Sequence, residues 1–409
     1  MTAKRNAHRP GYKPTDIAWI PDDWDNKTIE ESIKFSGGSQ PPQSLFKYEE
    51  TDGYIRLIQT RDYRTDKYKT YIPLEKANKT CNESDIMIGR YGPPLFQIFR
   101  GIKGAYNVAL IKAIPDNKLI TQDYCYYYLS RPELRKYLEG LSQRSGGQTG
   151  IEMDKLNEYP MPLPPLNEQH KISEILIACD NEIETLNKII EKKEILYKGI
   201  TQQLLTGKKR LPGYTDEWNK ITFKDFLIPT SYPVPKPNNA YSSLGLRSHG
   251  KGTLVREVAD PSTVEMDTLY EVKKGQLILN ITFAWEGAIA ILEQKDEGKL
   301  VSHRFPTYQF NSSIVISNFF KYIIKTKKIV FYMGLISPGG AGRNRVLDKH
   351  DFLNLSWSLP SVNEQQNIAA VLSTADEEIS ILKTQLEALK NQKKGLMQKL
   401  LTGEVRVKA

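Results

Sequence analysis

The chain has 409 residues, enough for two or three domains that each bury a core of their own. Its 57 Lys and Arg outnumber 48 Asp and Glu, a formal charge of +9 that favours an anionic partner such as a nucleic acid. The three cysteines, Cys81, Cys125 and Cys179, form no C-x-x-C pair and have no closely spaced histidines beside them, which argues against a disulfide scaffold and against a zinc site.

Near the start, Lys4, Arg5 and Arg9 precede Pro10 without an apolar run, so no secretory signal is expected and a cytoplasmic location is. Pro10-Gly11-Tyr12 and Trp24 lead into a first insert. Within it, Tyr54 to Arg64 alternates apolar and polar residues as a strand does and then meets a basic, aromatic turn. Arg pairs bidentately with guanine and Gln with adenine, so Arg56, Gln59, Arg61, Tyr63 and Arg64 are candidates for base or phosphate contact. A solvated strand face would carry the same residues. Ile86 to Ile88 reads as a buried strand, and the Gly and Pro turn after it should expose Arg90 and Tyr91. Asp123 to Leu141 has helical character. Ser142 to Gly150 holds glycines whose bare backbone could approach phosphate, with Arg144 and Gln148 as donors, although a plain flexible loop fits as well.

Leu163-Pro164-Pro165-Leu166-Asn167-Glu168-Gln169 then opens a long helix, with Asn167 as the expected N-cap and Gly207 as the stop. Its apolar residues Ile172, Leu176, Cys179, Ile183, Leu186, Ile190, Tyr197, Ile200 and Leu204 recur at steps of four and three, with Lys193 filling one turn, which is a heptad seam. Pro212-Gly213-Tyr214 and Trp218 lead into a second insert. There Gly245 to Gly252 nearly spells a P-loop but has Gly252 where Ser or Thr should hold magnesium, so it reads as a basic loop presenting Arg247, His249 and Lys251. Leu277 to Leu292 is too short and too polar to span a bilayer. Arg304 is a further candidate for DNA contact, whereas Trp285 is of a type more often found in cores. Ser337 to Arg345 is a second glycine-rich loop, with Arg343, Asn344 and Arg345 suited to adenine, guanine or phosphate.

Leu359-Pro360-Ser361-Val362-Asn363-Glu364-Gln365 opens a second long helix, expected to be capped by Asn363, with Gln366 placed for a capping box. Its seam is Ile368, Leu372, Ala375, Ile379, Leu382, Leu386, Leu389, Leu396 and Leu400, and Lys393 occupies one seam position. The two helical segments match without a gap at an offset of 196 residues, with about 19 of 45 positions identical. Two similar seams separated by a domain-sized insert point to an antiparallel pair inside one molecule. Such a helix would run roughly 55 Å at 1.5 Å per residue. The expected architecture is α+β: two globular α/β domains separated by a long antiparallel two-helix coiled coil, with a pseudo-two-fold internal repeat. The boundaries read as 1–162, 163–210, 211–358 and 359–409.

The paired Leu-Pro-x-x-Asn-Glu-Gln openings and Leu-Leu-Thr-Gly endings resemble the specificity subunit of type I restriction-modification systems over nearly the whole chain. The resemblance implies two target recognition domains, each reading one half of a bipartite, asymmetric site in double-stranded DNA. It also implies that the helices set the gap between the halves, and that two adenine methyltransferase subunits dock, joined by restriction subunits. The two inserts differ in sequence, so a non-palindromic target is expected.

Catalytic chemistry of the chain's own is not expected, nor a cofactor, a metal or a membrane role. An amino-methyltransferase needs Asn or Asp, then Pro-Pro and an aromatic residue, and Tyr91-Gly92-Pro93-Pro94-Leu95 fails at both ends. No nuclease acid cluster or Ser/His/Asp spacing stands out. The alternatives are a self-contained DNA methyltransferase using S-adenosylmethionine or half of a restriction enzyme, and a coiled-coil adaptor without DNA affinity.

Overall fold

Strong apolar strands set the core of each insert. In the computed structural model, which describes residues 9–15, 19–142, 150–340 and 345–407, all four residues of the strand Ile86–Gly89 are buried. Leu110–Pro115 pairs with it antiparallel, Leu110 opposite Gly89, and on its other side with Ile33–Gly37, Ile111 opposite Gly37. With Ile98–Phe99 these make a four-stranded sheet. A second sheet orders Tyr71–Pro73, Tyr54–Ile58, Gly104–Tyr106 and Thr80–Cys81, and its central pair is parallel, Ala105 opposite Leu57. The helical stretch expected after Asp123 is two helices, Gln122–Leu129 and Pro132–Ser142, because Pro132 cannot continue the first. Thr121 caps the first through its hydroxyl, and Tyr124, Tyr127 and Tyr128 are buried from it.

The chain divides into two compact units, one of residues 1–187 with 384–409 and the other of residues 188–383. The second has its own mixed sheets. One orders Pro233–Pro235, Thr268–Glu271, Leu300–Val301, Tyr241–Leu246 and Thr253–Val258. The other orders Leu227–Thr230, Thr307–Phe310, Leu277–Leu279 and Ile289–Ile291. Edge-to-face aromatics fill its core, Phe223 lying 5.4–5.5 Å from Phe226, Phe320 and Phe352. Arg247 to Gly252 is the turn of the hairpin formed by Tyr241–Leu246 and Thr253–Val258, so no helix follows it to receive a phosphate as a P-loop requires.

The same short ribbon ends both inserts. Asp25–Thr28 pairs with Pro160–Leu163, and Asn219–Thr222 with Ser356–Leu359, each partner strand running straight into a long helix. Those helices span Leu166–Leu205 and Val362–Leu400. They begin two residues before the sequence suggested. Asn167 therefore lies in the first turn, and the Pro165 carbonyl accepts from the Glu168 and Gln169 amides at 2.9 and 3.0 Å. In the second helix Ser361 takes the capping place, accepting from the Glu364 amide at 3.4 Å, so Asn363 is not the cap and exposed Gln366 closes no capping box on it.

The two long helices pack together in opposite directions, and this is visible inside each unit. In the first unit Lys393 of the second helix engages Asp180 of the first. In the second unit Lys193 meets Glu378 at 2.7 Å and Glu194 meets Lys383 at 2.5 Å. Both lysines that interrupt the seams are thus paired with carboxylates on the facing helix, which disfavours other registers. The seam residues Ile172, Leu176, Ile190, Leu204, Ile368, Leu372, Ile379, Leu386 and Leu400 are buried, and Ile183, Leu186 and Leu382 half-buried. Met397, Leu400 and Leu401 join the core around Trp24 and Tyr124 in the first unit. Leu204 and Leu205 join the core around Phe223 in the second.

Candidate DNA interface and the helix-end junctions

The Glu and Gln of each helix opening are buried polar side chains, and burial obliges them to find partners. Gln169 is fully buried. Its Oε1 accepts from the Thr121 amide at 2.8 Å, and its Nε2 donates to the carbonyls of Leu119 and Pro164, both at 2.9 Å. Gln365 repeats the arrangement, accepting from the Ile316 amide at 3.1 Å and donating to the carbonyls of Ile314 and Pro360 at 2.8 and 3.0 Å. Each glutamine pins the loop that precedes a helix of its insert to the root of a long helix.

The glutamate closes the other side of the junction. In the first unit Glu168 accepts from Trp24 Nε1 at 3.1 Å and from Arg406 Nε and Nη2, both at 2.8 Å. The same guanidinium forks onto Asp23 at 2.8 Å through two bonds. These bonds to Glu168 and then Asp23 raise the pKa of Arg406, while the Arg406 hydrogen bond holds the Asp23 carboxyl below its ordinary value. In the second unit Glu364 takes a fork from Arg210 Nε and Nη2, both at 2.7 Å, and this bond raises the pKa of Arg210. The arginines lie over Trp24 and Trp218 at 5.8 and 5.7 Å. Sequence reading stopped at Gly207 and Gly403 and missed both arginines. Continuing the 196-residue offset three residues further brings Arg210 onto Arg406.

The candidates for DNA contact fall into groups. In the first unit Gln59 and Arg61 line one cleft, while Arg56, Tyr63 and Arg64 line a second of about 620 Å³. Arg56 is committed to Asp66 at 2.9 Å, and Arg64 donates to Gln97 at 2.5 Å. Tyr63 stacks on Phe99 with ring centroids 4.4 Å apart, and its buried hydroxyl is pushed up in pKa mainly by desolvation. Arg90 and Tyr91 lie side by side, the guanidinium 5.3 Å from the ring, with Tyr91 exposed.

In the second unit the structure brings scattered candidates together around residues 280–287. Arg304 donates to the Thr282 hydroxyl at 3.4 Å, and Arg345 lies over Trp285 at 5.2 Å. The turn carrying Arg247 and Lys251 is tied to the same place by the His249 and Gly250 amides, which donate to the carbonyls of Glu286 and Gly287 at 2.7 and 2.8 Å. Trp285 is half-buried and spends its indole N–H on the Thr282 carbonyl at 3.1 Å. Arg345 also holds the carbonyls of Gly334 and Ser337, at 2.7 and 3.1 Å. Arg144, Gln148, Arg343 and Asn344 lie outside the described residues.

No described helix is long and apolar enough to cross a membrane. Comparison with known proteins places this geometry. The specificity subunit of the type I restriction enzyme MjaVIII of Methanocaldococcus jannaschii is 27% identical over 414 residues, covering 95% of this chain and 94% of that one. The MjaIX specificity subunit of the same organism is 30% identical over 197 residues, 44% of each chain. The crystal structure of the type I restriction-modification S subunit of M. genitalium shares the fold, with a TM-score of 0.57 at 15% identity over 96% of this chain and 99% of that one. The family model for the type I restriction modification DNA specificity domain matches residues 21–194 and again 220–391, and the chain belongs to that family as a type I restriction-modification specificity subunit.

Proposed function

We propose that this chain reads a bipartite, asymmetric double-stranded DNA site and positions two adenine-N6 methyltransferase subunits over it, with restriction subunits joining the complex. The observation that carries the reading is a repeated frame bearing unlike faces. Buried Glu–Arg and Gln junctions recur in both units, whereas the polar groups on the two inserts differ in kind and placement. A frame built twice with different surfaces suits recognition of two different half-sites. The chain itself supplies no catalytic group in this reading, and chemistry belongs to its partners.

Methylome sequencing of a host expressing the chain with its methyltransferase partners tests the proposal. One methylated motif with a fixed gap is expected, and exchanging residues 21–162 for the equivalent insert of a relative should change one half only. A continuous or palindromic motif, or a change in both halves, would refute it. The purified chain alone should transfer no label from S-adenosylmethionine to DNA; transfer would favour the self-contained enzyme.

Docking of the methyltransferases is assigned to the outer faces of the long helices. Ile195 and Leu196 in the second unit are 66% and 69% exposed, on a helix whose seam residues are occupied elsewhere. Two adjacent exposed aliphatic side chains offer apolar area that a partner could cover. Ile195→Asp with Leu196→Asp should cut co-purification of methyltransferase at least tenfold while the melting temperature of the isolated chain stays within a few degrees. Undiminished co-purification would move the contact to another face.

A further inference from the structure

Two neighbouring clefts of the first unit differ in charge. The larger is lined by Asp62, Asp66 and Glu83 as well as by Arg56, Arg64, Arg100 and Lys103, so three of its four positive charges are offset. The other, about 570 Å³, has Arg61, Lys67 and Lys69 as its only charged lining residues among the described residues. Glutamine amides, those of Gln43 and Gln59 among them, and the ring of Tyr68 complete the part that matters here. Lys69 lies 3.6 Å from Asp66, a carboxylate of the neighbouring cleft, while Arg61 and Lys67 keep the lining cationic; that charge suits a polyanion, and amides suit a ligand with adjacent donors and acceptors.

The cleft is built on stiff supports. Gln43 opens a single helical turn directly after Pro41 and Pro42, whose rings restrict the approach. Phe46, two residues beyond that turn's centre, packs on the core of Leu57, Ile72 and Ala105. Next to it, Lys47 and Tyr71 exchange backbone hydrogen bonds of 2.9 and 2.8 Å, joining this segment to the sheet. Gln43 is exposed and its amide makes no hydrogen bond with any described residue, leaving two donors and an acceptor available. Opposite, the Gln59 amide donates to the Thr70 hydroxyl at 3.4 Å. Tyr68 is flanked by Arg61 and Lys67, at 5.8 and 5.3 Å from its ring.

We propose that the first unit reads its half-site in this cleft, with Gln43 recognising an adenine edge in the major groove and Lys67 and Lys69 anchoring the adjoining phosphates. The proposal rests on the DNA-reading function above and assigns it a place. Glutamine meets adenine N6 and N7 with one donor and one acceptor, a pairing that other bases cannot return. Lysine contacts to phosphate add affinity without sequence information.

The full complex with its methyltransferase partners provides the test. In Gln43→Ala, one A·T position of one half-site should relax, with discrimination there falling roughly tenfold or more and the other half unchanged. Gln43→Glu keeps the size but removes the donor, and should lose the same adenine preference. Lys67→Ala with Lys69→Ala should weaken binding evenly across sequences and make the log–log salt dependence shallower by about two. Full stringency in both Gln43 variants, with wild type still marking a bipartite motif, overturns the cleft assignment alone. A wild-type complex that marks no bipartite motif overturns the functional reading and this proposal with it.

Discussion

Replacing Arg406 by alanine is expected to destabilise the first unit by about 2–4 kcal/mol, because it strands a carboxylate that the fold has removed from water. Glu168 is 2% exposed, and Arg406 supplies two of the three side-chain hydrogen bonds that satisfy it. Chemical denaturation followed by tryptophan fluorescence measures the loss, and a midpoint equal to wild type would contradict the account. The pair Glu168→Met with Arg406→Met should recover most of it, since no buried charge is then left unmatched and Asp23, which loses its partner, is exposed to water. Some loss remains because Trp24 gives up its acceptor. The pH dependence follows from Asp23, whose carboxyl is held below its ordinary value by Arg406. A depressed acid contributes stability that is present above its unfolded pKa, about 3.9, and is lost as pH falls through the lowered value. The gap between wild type and Arg406→Ala should therefore be steady near neutrality and narrow below about pH 4.

The second large effect concerns the spacing of the half-sites. Inserting one heptad into each long helix, after Asn187 and after Lys383, adds about 10 Å to each at 1.5 Å per residue and returns the seam to nearly the same face. If the helices set the gap of unspecified bases, the methylated motif should keep both halves and lengthen by up to about three base pairs at 3.4 Å each. Complete loss of assembly would also follow if the partners span a fixed distance. A functional complex with an unaltered gap would refute the measuring role.

The helical frame was legible because its signal is periodic and occurs twice. Each seam position is set by local spacing, and Ile172 or Leu372 needs no distant residue to be recognised as a core residue. Arg406 could not be read in this way, since its carboxylate partner lies 238 residues earlier. The role of Gln169 was hidden for the same reason, its partners Leu119 and Thr121 standing about fifty residues upstream. Sheet order depends on pairings at similar separations, such as Leu57 with Ala105, and alternation along one strand does not specify them. Among the DNA candidates, the type of residue was readable but its commitments were not. Arg56 is spoken for by Asp66, and Tyr63 turns its ring onto Phe99, although both sit in the pattern that made them attractive.

The composition of the units bears on how the protein is made. Residues 188–383 form the second unit as one unbroken stretch, whereas the first gathers residues 1–187 with 384–409. A ribosome therefore releases every part of the later unit before the earlier one has received Met397, Leu400, Leu401 and Arg406. The usual order of maturation, in which the leading globule finishes first, is inverted here. Until the last turns emerge, Ile172 and Leu176 lack part of their cover, so the core of the leading half closes only when its final residues arrive.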